Sequence, residues 1–205
     1  MARVRLVLAS ASPRRAELLR AAGFVFDTFA VAVDERVRPG ESPGAYVRRL
    51  AMEKSARAMA EMTASLVRAG DSSGEEPRDP VVVLGADTGV VIDGEILGKP
   101  RDDPDAGSML RRLSGRRHEV MTGVSLRRGV VELGTVVSTA VECQALTDSD
   151  VAWYVSSGEW RDKAGAYAIQ GLASRFIPHI EGSYSNVVGL PVACIFELFE
   201  RIRAG

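Results

Sequence analysis

Two serines and two arginines are crowded into the segment SASPRR, where a short apolar run ends and a helix is predicted to begin. A helix N-terminus carries the positive pole of the backbone dipole and several unpaired N–H groups, so arginine is unfavourable there unless an anion binds. Hydroxyl, N–H and guanidinium groups together form a strong phosphate site. The sequence therefore predicts that Ser10, Ser12, Arg14 and Arg15 bind phosphate. The alternative is that Ser12 only caps the helix and that both arginines are solvated.

A lysine interrupts the apolar face of the second predicted helix. The apolar residues of that face recur at helical spacing, and they are Val47, Leu50, Ala51, Ala58 and Met62. Lys54 falls in the middle of the face. A lysine at such a position either extends to the edge of the helix or lines a cleft that holds a negative partner. The helix by itself leaves both interpretations open.

Asp87 stands in VVVLGADTGVV, where the apolar run 81–84 predicts a buried strand and the small residues of 85–89 predict a break. A carboxylate at the exit of a buried strand is costly unless it is paired, binds a metal or faces a cleft. The crevice at strand ends is also where α/β proteins commonly bind ligands. We therefore interpret Asp87 as a functional residue. The alternative is a turn or capping aspartate, which the neighbouring glycines would allow.

Further polar groups lie in glycine-containing loops. Lys99 in GKP and Lys163 in RDKAGAYAIQG add cations, and Gln170 offers a donor and an acceptor to the edge of a heterocycle. His118 and His179 have no partner at metal-ligand spacing, so we interpret both as structural. The sequence contains no Walker loop and no GxGxxG, HExxH or GxSxG motif.

The elements that must position these residues follow from apolar runs, caps and turns. The expected strands are RLVLAS, 24–33, 81–84, VVI and EIL on either side of an Asp93-Gly94 turn, 119–126, 134–145 and RFIPHI. The expected helices run from Pro13 to a stop at Gly23, from Pro43 to about Met62, from Pro104 to about Leu113, from Thr147 to Val155 and from Pro191 to Ile202. Helices that alternate with strands and hairpins predict an α/β fold with a mixed sheet.

Size and composition are ordinary for one globular domain: of 205 residues, 46% are hydrophobic and 26% charged. The net charge of −1 gives no overall basic field, so we expect neither nucleic acid nor a membrane as a partner. The opening apolar run is too short for a signal peptide, and two distant cysteines favour buried free thiols in a cytoplasmic protein. The polar segment 68–80 predicts a surface loop inserted into this domain.

The segments SASPRR, VDE, GADT, GKP and DKAGAYAIQG, together with the lysine-bearing helix, follow one another along essentially the whole chain. In this order and spacing they resemble the Maf family of nucleoside triphosphate pyrophosphatases. The resemblance implies a single Maf-like domain over 1–205, an elongated mixed sheet with flanking helices and two lobes around a deep cleft. It also implies cleavage of a nucleoside triphosphate to the monophosphate and pyrophosphate. The 68–80 insertion departs in length from typical members.

The resemblance assigns roles to the residues singled out above. Asp87 would accept the proton of the attacking water. Glu35 of the VDE segment would join Asp87 in holding Mg²⁺, Mn²⁺ or Co²⁺. The phosphates would be bound by hydroxyl groups and cations, namely Ser10, Ser12, Arg14, Arg15, Lys54, Lys99 and Lys163.

Three positions separate the branches of this family. Here they are Arg14, Thr88 and Gln170, which resemble the branch acting on dTTP and UTP, whereas the 7-methyl-GTP branch tends to have tryptophan, glutamine and glutamate. The resemblance thus favours a dTTP and UTP pyrophosphatase that could also clear modified pyrimidine nucleotides. The alternatives are a purine or 7-methyl-GTP pyrophosphatase and a nucleotide-binding regulator of septum formation without turnover. The oligomeric state stays open, a homodimer included.

Overall fold

A computed structural model describes residues 4–68 and 80–204, which form one mixed sheet with helices packed against it. The strands are β1 (Arg5–Leu8), β2 (Phe26–Thr28), β3 (Val81–Ile92), β4 (Glu95–Leu97), β5 (Arg117–Arg128), β6 (Val131–Glu142) and β7 (His179–Glu181). The α-helices are α1 (Pro13–Ala21), α2 (Pro43–Arg68), α3 (Asp103–Leu113), α4 (Asp148–Ser156), α5 (Tyr184–Val188) and α6 (Val192–Ala204). Two short 3₁₀ helices, Ala164–Ala166 and Leu172–Phe176, lie between α4 and β7.

The strand order is β2-β1-β3-β5-β6-β7, and β4 pairs with β3 beside this path. β1 is parallel to β2 and β3, and the other pairs are antiparallel, which confirms the predicted α/β fold with a mixed sheet. One edge of β3 is covered by β5, whereas the other is shared by β1 as far as Leu84 and by β4 from Val90. Within the described residues, 85–89 therefore have no strand beside them on that second edge. The cleft of the molecule opens at this gap.

The predicted break at 85–89 is wrong, because β3 runs without interruption from Val81 to Ile92. The glycine at 85 serves close packing instead of a turn. A Cβ on Gly85 would collide with the carbonyl oxygen of Ala51 and lie 2.7 Å from the amide nitrogen of Ser55, both in α2. Helix α2 can thus lie directly on the sheet, and Asp87 stands in the middle of a buried strand, not at its exit.

Local caps and turns agree with the sequence at most positions. The Asp93-Gly94 turn has positive φ at both residues, as the tight hairpin requires, and Gly23 ends α1 with a φ of 79°. Thr147 begins α4 in a complete capping box with Asp150. The predicted side-chain cap at Ser12 is wrong: Ser12 is the N-cap residue of α1, but its hydroxyl makes no capping hydrogen bond.

Several element ends differ from the predictions. β2 is limited to three residues of the predicted 24–33, and α2 continues past Met62 to Arg68. Most of RFIPHI lies outside β7, because its first residues end a 3₁₀ helix. The short helix α5, which Ser183 caps, was not predicted at all. The expected insertion 68–80 lies outside the described residues, apart from its two end positions.

Two buried apolar clusters lie on either side of the gap in the sheet. One joins β1, α1 and α6 and includes Leu84 of β3. The other joins α3, α4, the ends of β3 and β6 and the start of β5, and it includes Val90 and Ile92 of β3. Thr88 stands between the two clusters on the same face of β3, because side chains alternate along a strand.

Two further features of the chain are the state of its cysteines and the apolar character of its helices. Cys143 and Cys194 are both free, as predicted. They are half-buried, whereas the sequence predicted buried thiols. In the two described ranges, no helix has the length and apolar character needed to cross a bilayer.

Candidate active site

A cleft of about 890 Å³ opens at the gap between β1 and β4. Its walls come from the start of α1, the loop before α2, α2 itself, the middle of β3, β4 with the residues that follow it, and the segments 162–170 and 187–189. All the residues that the sequence singled out as site candidates line it: Ser10, Ser12, Arg14, Arg15, Glu35, Lys54, Asp87, Thr88, Lys99, Lys163 and Gln170. The fold thus brings six separate segments of the chain to one cavity.

Lys54 joins two carboxylates on one wall of the cleft. Its Nζ donates to Asp87 Oδ1 at 2.7 Å and to Glu35 Oε1 at 2.8 Å. The side chains of Lys54 and Asp87 are only 10% and 12% exposed, whereas that of Glu35 is 57% exposed. Lys54 therefore does not extend to the edge of the helix. It pairs with one buried carboxylate, that of Asp87, and one exposed carboxylate, that of Glu35. The close approach of α2 to Gly85 makes this reach possible, because Asp87 lies on the same strand face.

The two carboxylates keep atoms that face the cleft. Burial alone would raise the pKa of Glu35, but the hydrogen bond and charge of Lys54 outweigh it and lower the pKa below its usual value. Glu35 is therefore ionised near neutral pH. Asp87 Oδ1 is held by Lys54, whereas Oδ2 has no hydrogen-bond partner within the described part of the chain. This second oxygen can accept a proton or a metal ion.

Arg15 is buried, and most of its guanidinium group is committed to the protein. Nε donates to the Gly189 carbonyl at 2.9 Å and Nη1 to the Ala86 carbonyl at 2.8 Å. Nη1 also donates to Ser10 Oγ at 3.2 Å, and Nη2 donates to Thr88 Oγ1 at 3.0 Å. Four of the five N–H groups of an arginine are thus used, which leaves one for a ligand. Arg15 therefore chiefly connects three parts of the cleft wall: β3, the turn before α1 and the backbone at Gly189.

Arg14 differs from its neighbour. It is half-buried and forms no hydrogen bond or ion pair with any residue in the described ranges. Burial lowers the pKa of Arg14, and the nearby charges of Asp162 and Glu17 oppose that shift. Because Ser12 leaves its hydroxyl uncommitted at the start of α1, this turn presents a free guanidinium, a free hydroxyl and helix N–H groups to the cleft.

Cations also approach from the opposite wall. Lys99 Nζ lies 3.7 Å from Asp162 in an exposed ion pair, and Lys163 Nζ donates to the Arg161 carbonyl at 3.1 Å. Burial lowers the pKa of Lys163, and the positive charge of Arg14 adds to that shift. Positive charge from both walls therefore converges on the same part of the cleft, where it would attract a polyanion.

The hydroxyl of Thr88 has no capacity left for a ligand. Its Oγ1 accepts from Arg15, lies 2.9 Å from Thr122 Oγ1 and donates to the Gly189 carbonyl at 3.2 Å. A hydroxyl has one hydrogen and two lone pairs, and these three contacts use all of them. Thr88 therefore acts on the cleft by holding Arg15 and the Gly189 backbone in place.

One part of the cleft is apolar. Its lining there consists of aliphatic and aromatic side chains, among them Val90, Ile96, Val120, Tyr167, Ile169, Val187 and Val188. Tyr167 is fixed by a 2.8 Å hydrogen bond between its hydroxyl and His118 Nε2, in agreement with a structural role for that histidine. Exposed Gln170 lies at this cleft without a hydrogen-bond partner in the described chain. Such a surface suits a flat ring with polar edges.

The donor set of the site fits a divalent cation that shares its coordination with a ligand. In the described ranges, no group of three or more His, Cys, Asp or Glu side chains could hold a metal by itself. Glu35 and Asp87 nevertheless offer carboxylate oxygens close together, since both contact the same Lys54 Nζ. Mg²⁺ is commonly held by one or two carboxylates, waters and phosphate oxygens of the substrate, not by a cage of protein ligands.

Three residues of the cleft were missed by the sequence analysis. Tyr46 lies two helical turns before Lys54 and could have been found by that spacing. Asp162 precedes Lys163 in a segment already singled out. The Gly189 carbonyl carries no signal at all in the sequence, because any residue has a carbonyl group.

Comparisons with known proteins agree over almost the whole chain. A family model described as Maf-like protein matches residues 5–202. The chain is 52% identical over 201 residues to the dTTP/UTP pyrophosphatase of Anaeromyxobacter dehalogenans (strain 2CP-C), which covers 96% of this chain and 93% of that protein. It is 45% identical over 199 residues to the dTTP/UTP pyrophosphatase of Escherichia coli O157:H7, at 97% and 93% coverage.

A weaker likeness exists among solved structures. The crystal structure of a nucleoside-triphosphatase / dITP/XTP pyrophosphatase from Mycobacterium abscessus covers 69% of this chain and 75% of that chain. The TM-score is 0.41 at 14% sequence identity.

Proposed function

The chain belongs to the family of Maf-like proteins, and from that premise we propose that it hydrolyses dTTP and UTP to the nucleoside monophosphate and pyrophosphate. Relatives that are 52% and 45% identical to it carry the name dTTP/UTP pyrophosphatase. Modified pyrimidine nucleotides that keep the same base edge are included in the proposal, because a site that reads this edge by hydrogen bonds would accept them.

One observation carries the proposal: Lys54 links Glu35 and Asp87 on the wall of a cleft whose other wall supplies cations. Two carboxylates suit a metal ion and a proton acceptor, whereas separate cations suit the oxygens of a triphosphate. A cleft that only bound an anion would not need two carboxylates on its wall, since they repel it.

In the proposed reaction Asp87 Oδ2 accepts a proton from a water molecule that attacks the α-phosphorus. The bond from this phosphorus to the bridging oxygen of the β-phosphate breaks, and pyrophosphate leaves with the electron pair. Lys54 holds Oδ1 of the same carboxylate, which orients Oδ2 towards the cleft. A divalent cation, Mg²⁺, Mn²⁺ or Co²⁺, held by Glu35 and Asp87 would acidify the water and offset phosphate charge.

Three cations that line the cleft have the complementary task. Arg14, Lys99 and Lys163 would bind the non-bridging oxygens of the triphosphate and neutralise the charge that develops on the departing pyrophosphate. Arg15 has a single N–H group to add, so its main contribution would be to keep the walls at the right separation.

Selectivity for the base is proposed to come from Gln170. Its amide can donate to a carbonyl and accept from the N–H of the imide edge of uracil or thymine. A base whose edge does not match the orientation of this amide would leave its groups unpaired. Thr88 would contribute indirectly through the Gly189 carbonyl, since its own hydroxyl is fully used.

A panel of triphosphates tests the proposal. The chain is incubated with equal concentrations of dTTP, UTP, 5-methyl-UTP, CTP, ATP, GTP and 7-methyl-GTP, with Mg²⁺, Mn²⁺ or Co²⁺ and with EDTA as the metal-free control. Pyrophosphate and orthophosphate are measured separately. We expect dTTP, UTP and 5-methyl-UTP to be consumed fastest, with one pyrophosphate released for each monophosphate and loss of turnover in EDTA.

Other outcomes would contradict the proposal. Release of orthophosphate would move the attack away from the α-phosphorus. A preference for 7-methyl-GTP or another purine would overturn the assignment of the base, and metal-dependent binding of UTP without hydrolysis would favour a nucleotide-binding regulator.

A further inference from the structure

Two side chains of α2 hold three successive backbone carbonyls in the loop that carries Glu35. Arg49 Nη1 donates to the Asp34 carbonyl at 3.3 Å, and Nη2 donates to the Arg36 carbonyl at 3.0 Å. Between them, the Tyr46 hydroxyl donates to the Glu35 carbonyl at 2.9 Å. The backbone of Glu35 is thus fixed on both sides and at its own carbonyl.

Arg49 is itself held firmly, although it lies beside an exposed loop. Its Nε and Nη2 donate to the two carboxylate oxygens of Glu41 at 2.5 and 2.8 Å, and the two side chains are only 12% and 9% exposed. The guanidinium carbon lies 5.5 Å from the centre of the Tyr46 ring. The hydrogen bond and charge of Glu41 raise the pKa of Arg49, so the fork stays charged. A bidentate, stacked and shielded guanidinium is a rigid anchor.

Among the described residues, few other contacts fix the backbone of this loop at 34–36. Residues 34–36 are exposed and belong to no helix or strand. Arg36 pairs with Asp34, its neighbour within the same loop, and this pair moves with the loop. The hydrogen bonds to α2 are therefore what ties the backbone to the rest of the molecule, and α2 also carries Lys54, which binds the Glu35 carboxylate.

We propose that Arg49 is a positioning residue for Glu35: with Tyr46 it fixes the backbone of 34–36, so that the Glu35 carboxylate meets Lys54 and the cleft in one geometry. This inference rests on the proposed function for its effect on catalysis. Its physical basis is that a carboxylate on a free loop would sample many positions, while a reacting group has to stay within a fraction of an ångström of its working place.

The test compares two conservative changes on the same helix. Arg49→Lys keeps the charge but loses the planar fork that spans Glu41 and two carbonyls. Arg57→Lys is the matched control, because Arg57 forms an exposed pair with Glu61 one turn away and does not contact the loop. Tyr46→Phe, which removes one hydroxyl, is a milder second variant of the same clamp.

Opening of the loop is measured independently of enzymatic activity, as the rate of trypsin cleavage after Arg36. The cleavage products are followed by mass spectrometry. Both substitutions keep the number of trypsin sites, so cleavage rates can be compared directly. We expect Arg49→Lys to speed this cleavage by about tenfold and Tyr46→Phe by less, because cleavage follows the population of the opened loop. Arg57→Lys should leave the rate at the wild-type value, and an unchanged rate in Arg49→Lys would overturn the proposal.

The link to Glu35 is measured by a double-mutant cycle. In the wild-type background Arg49→Lys should lower kcat/KM by roughly ten- to a hundredfold, mainly in kcat. In a Glu35→Gln background the same change should lower kcat/KM by no more than about threefold, because the carboxylate that Arg49 positions is already lost. An equal loss in both backgrounds would mean that Arg49 acts only on general structure, which contradicts the inference.

Failure of the proposed function can be told apart from failure of the clamp. If the wild-type chain hydrolyses no triphosphate, the proposed function is wrong. The trypsin comparison of Arg49→Lys with Arg57→Lys then decides the position of the loop on its own.

Discussion

Lys54 Nζ lies 2.7 Å from Asp87 Oδ1 and joins the centre of α2 to the centre of β3. Both side chains are about nine-tenths buried, so the pair has lost most of its hydration. A buried ion pair is seldom more stabilising than well-packed apolar residues of the same size, because desolvation offsets the attraction. Its presence beside the gap between β1 and β4 is better explained by a task in the cleft than by stability of the fold.

Substitution of Asp87 by asparagine should separate catalysis from binding. The amide of the Asp87→Asn variant could not accept a proton from water, so we expect pyrophosphate release to fall by roughly a hundred- to ten-thousandfold. The change keeps the size of the side chain, and UTP affinity should stay within several-fold of wild type. Release of pyrophosphate is measured by a coupled assay and affinity by calorimetry.

Asp93→Asn is the matched control for that experiment. Asp93 lies in the hairpin turn after β3, pairs with Arg116 and does not line the cleft. Asparagine tolerates its positive φ, so turnover should be unchanged. Wild-type turnover in Asp87→Asn would remove Asp87 from the mechanism.

The two neighbouring arginines should respond differently to replacement by alanine. Arg14→Ala removes a free cation from the cleft, so KM for UTP should rise while the free energy of unfolding changes by at most about 1 kcal/mol. Arg15→Ala leaves the Ala86 carbonyl without its donor and the Gly189 carbonyl with the Thr88 hydroxyl alone, and stability should fall by about 2–4 kcal/mol. Urea unfolding and steady-state kinetics on both variants measure this contrast. Equal losses of stability would show that Arg15 is no more structural than Arg14.

Gly85→Ala should damage the site by displacing α2. The new Cβ would meet the Ala51 carbonyl oxygen and the Ser55 amide, so α2 has to move away from β3. We expect a loss of about 1–3 kcal/mol from overpacking, with reduced turnover because Lys54 is carried away from Asp87. Thermal unfolding and kinetics test this.

Gly44→Ala, in α2 itself, provides the comparison. A Cβ at Gly44 would have no atom within 4 Å, so the change should alter stability by less than about 1 kcal/mol and favour the helix. If Gly85→Ala behaved like Gly44→Ala, the close contact between α2 and β3 would not control the site.

His118 should make the folded state sensitive to mild acid. Burial lowers the pKa of His118 from its usual 6.5 to about 4. Between these values the unfolded chain binds a proton that the folded chain does not, so stability contributed by neutral His118 is complete above pH 6.5 and is lost as the pH falls towards 4. The loss should be at most about 3 kcal/mol.

His118→Gln isolates this contribution, because glutamine does not titrate and can still reach the Tyr167 hydroxyl. Free energies of unfolding are measured from pH 7 to pH 4 for both proteins. The variant should lose less stability over this range than wild type, whereas His179→Gln, at an exposed position of β7, should follow the wild-type curve. Parallel curves for wild type and His118→Gln would contradict the prediction.

Local elements could be predicted from the sequence because their signals lie within a few neighbouring residues. The Thr147 cap, the Asp93-Gly94 turn and the apolar face around Lys54 depend on side chains that contact their own segment. The order of six polar segments was also enough to predict the family, which the match over residues 5–202 confirms. Residue types and their order along the chain therefore determined the fold class and the list of site candidates.

Only the tertiary structure decided what each candidate does in the cleft. Gly85 is compatible with a break or with close packing, and the position of α2 selects packing. Arg14 and Arg15 have the same functional groups, but packing brings carbonyls of Ala86 and Gly189 within reach of only one of them. A long polar side chain binds whichever partners the fold brings near it, and partners from distant segments leave no mark in its local sequence.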